Sequence, residues 1–353
     1  MTEFESLYAH EFVRLATCVP HTKVADVSAN LGETIRLARQ GDAVKAAMIV
    51  FPELGLSAYA IDDLLFQDAL LGAVEGAIEQ AIDASRELYP VLIVGAPLRC
   101  SGGLFNTAVV IHQGTVLGVV PKTYLPNYRE FYERRHFVSG AGIRGRQITI
   151  GDRAVPFGVD LLFRSTGSVD VTFHVDLCED FWVPLPPSTI AALAGAEILV
   201  NLSASNVTIG KADTRRLLCA SQSARAIAAY AYSAAGPASR RPTLLGTVTR
   251  QSSNAVTASR KLSGLPRVPL LSRRISTSDA FARNACGTIH SPIALARNPG
   301  EQLISEQSPS GSTRQIIPFN CSESSNGFRS CRPIRQNCRR TATRLTTSRF
   351  KAW

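Results

Sequence analysis

The chain has 353 residues, 45% of them apolar, and a formal net charge of +10. That length suffices for one large buried core or two, and no apolar run is long enough to span a bilayer. The opening stretch, MTEFESLYAHEF, is acidic and does not read as a signal peptide, which predicts a cytoplasmic protein with reduced thiols.

In chain order, FVRLATCVP (12–20) predicts a strand, and VADVSANLGETIRLARQG (24–41) an amphipathic helix ending at Gly41. AAMIVFPE (46–53) is apolar almost throughout, as a buried strand is. Residues 62–88 predict one long helix, with Leu64, Leu65, Leu71, Val74, Ile78 and Ile82 broadly on one face. VLIVGAPLRC (91–100) predicts a strand, and 104–122 a hairpin turning at HQG. Strands follow at 169–178, 197–205 and 230–236, with helices at 186–196 and 212–229. This alternation predicts an α/β layered fold, and the hairpin requires a mixed sheet.

The pattern and the charge both change near Gly236. Residues 1–236 hold 19 Lys and Arg against 24 Asp and Glu, a net of −5. Residues 237–353 hold 19 against 4, a net of +15, and 17 of those basic residues are arginine. Every tyrosine precedes the change. We expect a domain over 1–236, incomplete at its C-terminal end with open sheet edges, and a largely disordered basic tail over 237–353.

Three polar residues stand where buried-type strands end: Glu53 after MIVFP, Lys122 after VLGVVP and Cys178 after FHVDL. Sites in open α/β sheets gather beyond such ends. Together the three make a coherent machine. The carboxylate takes the thiol proton, the thiolate attacks a carbonyl, and the ammonium stabilises the oxyanion. Singly, each has a plainer reading: an inert small thiol, a solvated turn carboxylate and a surface lysine.

FPELGLSAY, PKTYLPNYREFYERRHF, DLCEDFW and NLSASNVTIGKADTRRLL together resemble the nitrilase (carbon–nitrogen hydrolase) superfamily. ELGLSAYAIDDLL narrows the resemblance to the glutaminase domains of glutamine-dependent NAD synthetases, over residues 1–236. The resemblance implies an α-β-β-α nitrilase-like sandwich with a Glu–Lys–Cys triad at Glu53, Lys122 and Cys178. It implies glutamine as substrate, contacted by Tyr128 and, at its amino-acid end, by Ser205. Lys211 falls where relatives carry a basic substrate-binding residue, often arginine, and lysine weakens a bidentate clamp. Glu133 is a candidate second acid, with a surface helix carboxylate as the equal alternative. Glu179 and Asp180 are expected to fix the turn after Cys178. The implied reaction is attack on the glutamine side-chain amide, loss of ammonia and hydrolysis of a glutamyl thioester. The resemblance further implies a homo-oligomer; the apolar runs predict no membrane partner, and a tail with no RGG repeat, aromatic interleaving or fold motif predicts no nucleic-acid partner. It implies no cofactor for the glutaminase half, and ATP with magnesium for a separate synthetase domain.

The tail contains no SGGxDS loop and no Walker loop; SPSGSTRQ (308–315) is the nearest run. The ligase half of the family's chemistry is therefore not expected of this sequence, and a truncated, inactive product is. Two other readings of the chain are a free-standing amidase for a small amide and a basic nucleic-acid-binding chain. A zinc module on Cys321, Cys331 and Cys338 fits no standard spacing. A further reading is a change of frame. Codons permitted for ASRRPTLLGTV (238–248), read from the third base of Ala238, include GAG TCG ACG ACC GAC CTT GCT TGG GAC GGT. That string translates to the continuation expected in the family.

Overall fold

The computed structural model describes residue 8, residues 12–166, 169–206 and 208–236, and three short strands beyond them. All of these fall within one compact unit, Met1–Ser322. The rest of the tail, with the zinc and frame readings, lies outside the described residues.

The first sheet begins with β1 (Leu15–Val19), β2 (Met48–Val50), β3 (Val91–Cys100), β4 (Gly103–His112) and β5 (Thr115–Pro121). The first three run parallel, and β3, β4 and β5 form antiparallel pairs. Beyond β5 lie β6 (Arg146–Ile150) and β7 (Arg153–Phe157), in the order β5-β7-β6. The second sheet holds β8 (Leu162–Thr166), β9 (Asp170–Leu177), β10 (Ile198–Ser203) and β11 (Ala229–Ala234). Within it β9, β10 and β11 are parallel and β8 is antiparallel to β9. Both sheets are mixed: the hairpin makes the first so, as expected, and antiparallel β8 the second.

Strand side chains alternate between faces, and the burial clusters follow that alternation. Met48, Val50, Val91, Ile93, Ala108 and Val110 of the first sheet meet Phe173, Val175, Leu177, Ile198 and Val200 of the second. The intervening residues Ile49, Leu92, Val94 and Val109 face outward against helices α1 (Val27–Ala43) and α2 (Asp68–Ala84). On the far side, Leu199, Tyr230 and Tyr232 pack with α3 (Pro187–Leu193) and α4 (Lys211–Ala226). The layers are therefore α-β-β-α, as the resemblance implies. Asp26 caps α1 by accepting the Ala29 N–H.

The helix expected over 62–88 is broken. Residues Asp62–Phe66 form a 3-10 turn opened by Asp62 at φ +46°, and Gln67 is extended, so the α-helix begins only at Asp68. Leu64 consequently faces solvent at 45% exposure. Three short strands from the tail lie at sheet edges: β12 (Gln251–Ser253) on β11, β13 (Leu270–Leu271) on β1 and β14 (Ile316–Phe319) on β8.

Candidate active site

The site lies where β2, β5, β9 and β10 end. Glu53 follows β2 in a turn in which Leu54 takes φ +49°. That turn sits on the backbone of β3. A Cβ at Gly95 would stand 2.4 Å from the Pro52 carbonyl oxygen and 2.5 Å from the Leu54 nitrogen, so only glycine admits it. Lys122 follows β5, its N–H bonded to the Asn106 carbonyl at 2.8 Å. Cys178 follows β9 at φ +39°, a left-handed conformation costly for a residue with a Cβ.

The side chains converge on one ammonium. Lys122 Nζ is 2.6 Å from Glu53 Oε1 and 2.7 Å from Glu133 Oε1, and all three groups are buried. The Tyr59 hydroxyl donates to the same Glu133 oxygen at 2.6 Å. Asn106 Nδ2 donates to Glu53 Oε1 at 2.8 Å, and the Ala204 N–H donates to Glu53 Oε2 at 2.7 Å. Glu53 is thereby fixed at both oxygens. Of the two readings of Glu133, the surface carboxylate is the one the structure overturns. The 3-10 turn Glu133–Arg135 presents Glu133 inward, at 5% exposure.

Two carboxylates share one buried cation, and their protonation reflects it. Burial raises Glu133 to about 7, with Lys122 opposing and Glu53 reinforcing the shift. Burial works against the Lys122 ammonium, but Glu133 and Glu53 outweigh it and hold its pKa well above the usual value. The Cys178 thiol, 4% exposed, is pushed up to about 12. Burial is the main cause and Glu53 adds to it, while Lys122 and the Ala204 N–H pull the other way. Cys178, Glu53 and Lys122 are all buried, and the charges of Glu53 and Lys122 act on the thiol in opposite directions.

The remaining candidates lie further out. Tyr128 is half-exposed, and its hydroxyl donates to both oxygens of Glu179 at 3.0 Å. Burial raises the Glu179 carboxyl, while Tyr128, Lys122 and Lys211 oppose it. Ser205 is buried just past β10. Lys211 opens α4, bonds Asn206 Oδ1 and lies 4.8 Å from the centre of the Trp182 ring. Tyr128 and Glu179 line a cleft of about 590 Å³ with Thr123, Tyr124 and Arg134. Among the described residues, no group of His, Cys, Asp and Glu could hold a metal, and no helix is long and apolar enough to cross a membrane.

The carbon-nitrogen hydrolase family profile matches residues 14–244. The chain belongs to the carbon-nitrogen hydrolase family. The glutamine-dependent NAD(+) synthetase of Mycobacterium tuberculosis is 55% identical over 233 residues, covering 66% of this chain and 34% of its own length. The corresponding Mycobacterium leprae protein is 52% identical over 234 residues, with the same coverage. This carbon-nitrogen hydrolase thus spans about a third of the length of those relatives. A glutamine-dependent NAD(+) synthetase structure from Cytophaga hutchinsonii aligns with TM-score 0.56 at 23% identity, over 64% of this chain and 36% of that one. A variant amidase from Nesterenkonia sp. AN1 aligns with TM-score 0.54 at 17% identity, over 69% and 82%. That amidase carries the acetamide moiety of fluoroacetamide on its active-site cysteine. At such identities the two structures establish the shared fold.

In this carbon-nitrogen hydrolase, sequence reasoning missed Tyr59, Asn106, Gly95 and the Ala204 amide. Asn106 carried a signal: it is a polar residue in LFNTAVVIH, a strand otherwise largely apolar. A buried amide side chain needs partners, and here the partner is Glu53.

Proposed function

We propose that residues 1–236 form a glutamine amidohydrolase module of the kind carried by glutamine-dependent NAD synthetases. The observation that supports this reading is the buried Glu53–Lys122–Glu133 cluster, whose charges influence the buried Cys178 thiol, on a chain 55% identical to those enzymes over 233 residues. In the reading, Glu53 takes the Sγ proton as the thiolate attacks the glutamine side-chain carbonyl carbon. The new oxyanion is met by the Lys122 ammonium, preorganised in a dry site. Glu53 returns the proton to the departing nitrogen, and ammonia leaves. Water, deprotonated by Glu53, then opens the thioester to release glutamate and restore the thiol. Glu133 keeps Lys122 charged and aimed. In this reading Tyr128, Ser205 and Lys211 serve glutamine binding.

The module needs no cofactor in this mechanism, because its own residues supply the base, the nucleophile and the cation. ATP and magnesium are assigned in this reading to a separate synthetase domain; the glutamine-dependent NAD+ synthetase of Acinetobacter baumannii has been solved in complex with ADP. Ammonia release from the full chain tests the reading. L-glutamine should be hydrolysed in preference to acetamide and butyramide. Faster turnover of the aliphatic amides, or of none, overturns it.

A further inference from the structure

Cys178 and Lys122 are delivered by different sheets. Lys122 follows β5 of the first sheet, and Cys178 follows β9 of the second. Polar connections cross the gap at several points among the described residues, Ser233 to the Cys18 carbonyl and Tyr128 to Glu179 among them. Two lie against the cluster itself: the Ala204 N–H donating to Glu53, and Asp180.

Asp180 is 1% exposed and lies two residues past the nucleophile. Its Oδ2 accepts the Leu177 N–H at 3.1 Å and the Thr123 N–H at 3.2 Å, and its Oδ1 accepts the Tyr124 N–H at 2.7 Å. The Leu177 bond is local and caps the 3-10 turn that starts at Cys178. The other two reach across more than fifty residues of chain to the pair of amides directly after Lys122. One carboxylate thus grips the residue before the nucleophile and the residues after the lysine. It also restrains the turn in which Cys178 holds φ +39°.

We propose that Asp180 is a positioning residue, a bracket that fixes Sγ of Cys178 against Nζ of Lys122. The proposal rests on Cys178 being the nucleophile; it does not depend on which amide is the substrate. The variant Asp180→Asn keeps the shape, but its amide nitrogen must face N–H donors at one of the two positions, so half of the bracket is lost. A misplacement of about 1 Å at a reacting atom costs on the order of a hundredfold in rate. In the full-length chain, glutamine turnover by Asp180→Asn should fall by about that factor in kcat with little change in KM.

Alkylation by iodoacetamide, followed peptide by peptide, separates positioning from loosening. Cys178 should react about tenfold more slowly in the variant, because a thiol displaced from Glu53 and Lys122 loses both the base that takes its proton and the cation that favours its thiolate. Buried Cys18 and Cys219 should stay protected. A Cys178 rate within about twofold of the parent overturns the proposal, as does faster reaction of Cys178 together with Cys18 and Cys219. If the parent ignores glutamine but the alkylation contrast appears, the substrate reading fails and the bracket stands. If Asp180→Asn does not fold, amide exchange in the parent decides. The Thr123 and Tyr124 amides should exchange far more slowly than those of residues 127–129, and equal rates overturn the proposal.

Discussion

Two ion clusters lie within a few residues of one another and have opposite character. Lys122 with Glu53 and Glu133 is sealed inside the sandwich. Arg135 and His136, two and three residues after Glu133, hold Asp63 on the surface, where Arg135 and Asp63 side chains are both 57% exposed. The bond lengths are similar, 2.6 and 2.7 Å inside and 2.8 and 3.0 Å outside. What differs is solvent. Outside, water screens the charges and each partner keeps an alternative. Inside, every charge depends on its neighbours, so protonation states move and removal of one member strands the others. Ion-pair geometry alone therefore does not separate the two clusters; burial does.

Removing members of the inner cluster should give the largest effects. Cys178→Ala should lower glutamine turnover by at least about a thousandfold while leaving the fold intact, measured as ammonia release and by thermal melting. Lys122→Met should lose turnover and stability together. It leaves Glu53 and Glu133 buried without their cation, a loss of about 3–5 kcal/mol, read from urea denaturation. If Lys122→Met were as stable as the parent, the inner cluster would be no different in kind from the outer one.

The next effect tests how the inner cluster is held. Gly95→Ala adds a methyl group against the backbone of the Glu53 turn. The backbone must move, and Glu53 with it. We expect kcat to fall by about tenfold or more with a modest change in KM. An unchanged kcat would mean that Glu53 tolerates displacement, and the close fit of β3 would have no catalytic consequence.

How much of this was legible follows the same division between local and distant causes. Strand β3 was read over residues 91–100 and forms over Val91–Cys100, because a buried strand announces itself by an unbroken apolar run. Strands β6 and β7 were not read. They carry RQITI and RAVPF, short and largely exposed, with Ile148, Val155 and Phe157 alone fully inside. The break at Gln67 escaped because the apolar spacing of 62–88 continues through it, while the backbone of Asp62 and Gln67 does not. At the site, Glu53, Lys122 and Cys178 were visible as polar ends of apolar strands. Glu133 was not decided by sequence, since its burial comes from Tyr59 and Lys122, which lie 74 and 11 residues away.

Glu133→Gln should have an intermediate effect and a distinctive pH signature. The folded carboxyl titrates near 7, above the ordinary value of 4.5. The folded state therefore binds more protons than the unfolded chain between those values, and the contribution of Glu133 to stability is present in acid and is lost as pH rises from about 4.5 through about 7. Glutamine cannot titrate, so the variant should lack that decline. Parallel urea curves at pH 5 and pH 7.5 measure it. An identical pH trend in parent and variant would show that Glu133 titrates as an ordinary exposed carboxylate.

The smallest effect belongs to the outer cluster. Arg135 and His136 hold the Asp63 carboxyl well below the usual range, and that shift invites the view that Asp63 is essential. Exposure argues against it. Asp63 lies in solvent, so water replaces much of what the ion pairs supply. The turn that carries Glu133 is also tied down independently, through the Glu133 N–H to the Pro126 carbonyl at 3.1 Å and the Phe137 N–H to the Glu133 carbonyl at 2.8 Å. Asp63→Asn should therefore leave kcat for glutamine within about twofold and should shift the melting temperature only slightly, with the difference shrinking further in high salt. A large loss of kcat that salt does not reproduce in the parent would mean that the surface cluster steers Glu133 after all. The division between a sealed, functional cluster and a screened, dispensable one would then have to be redrawn around the whole turn.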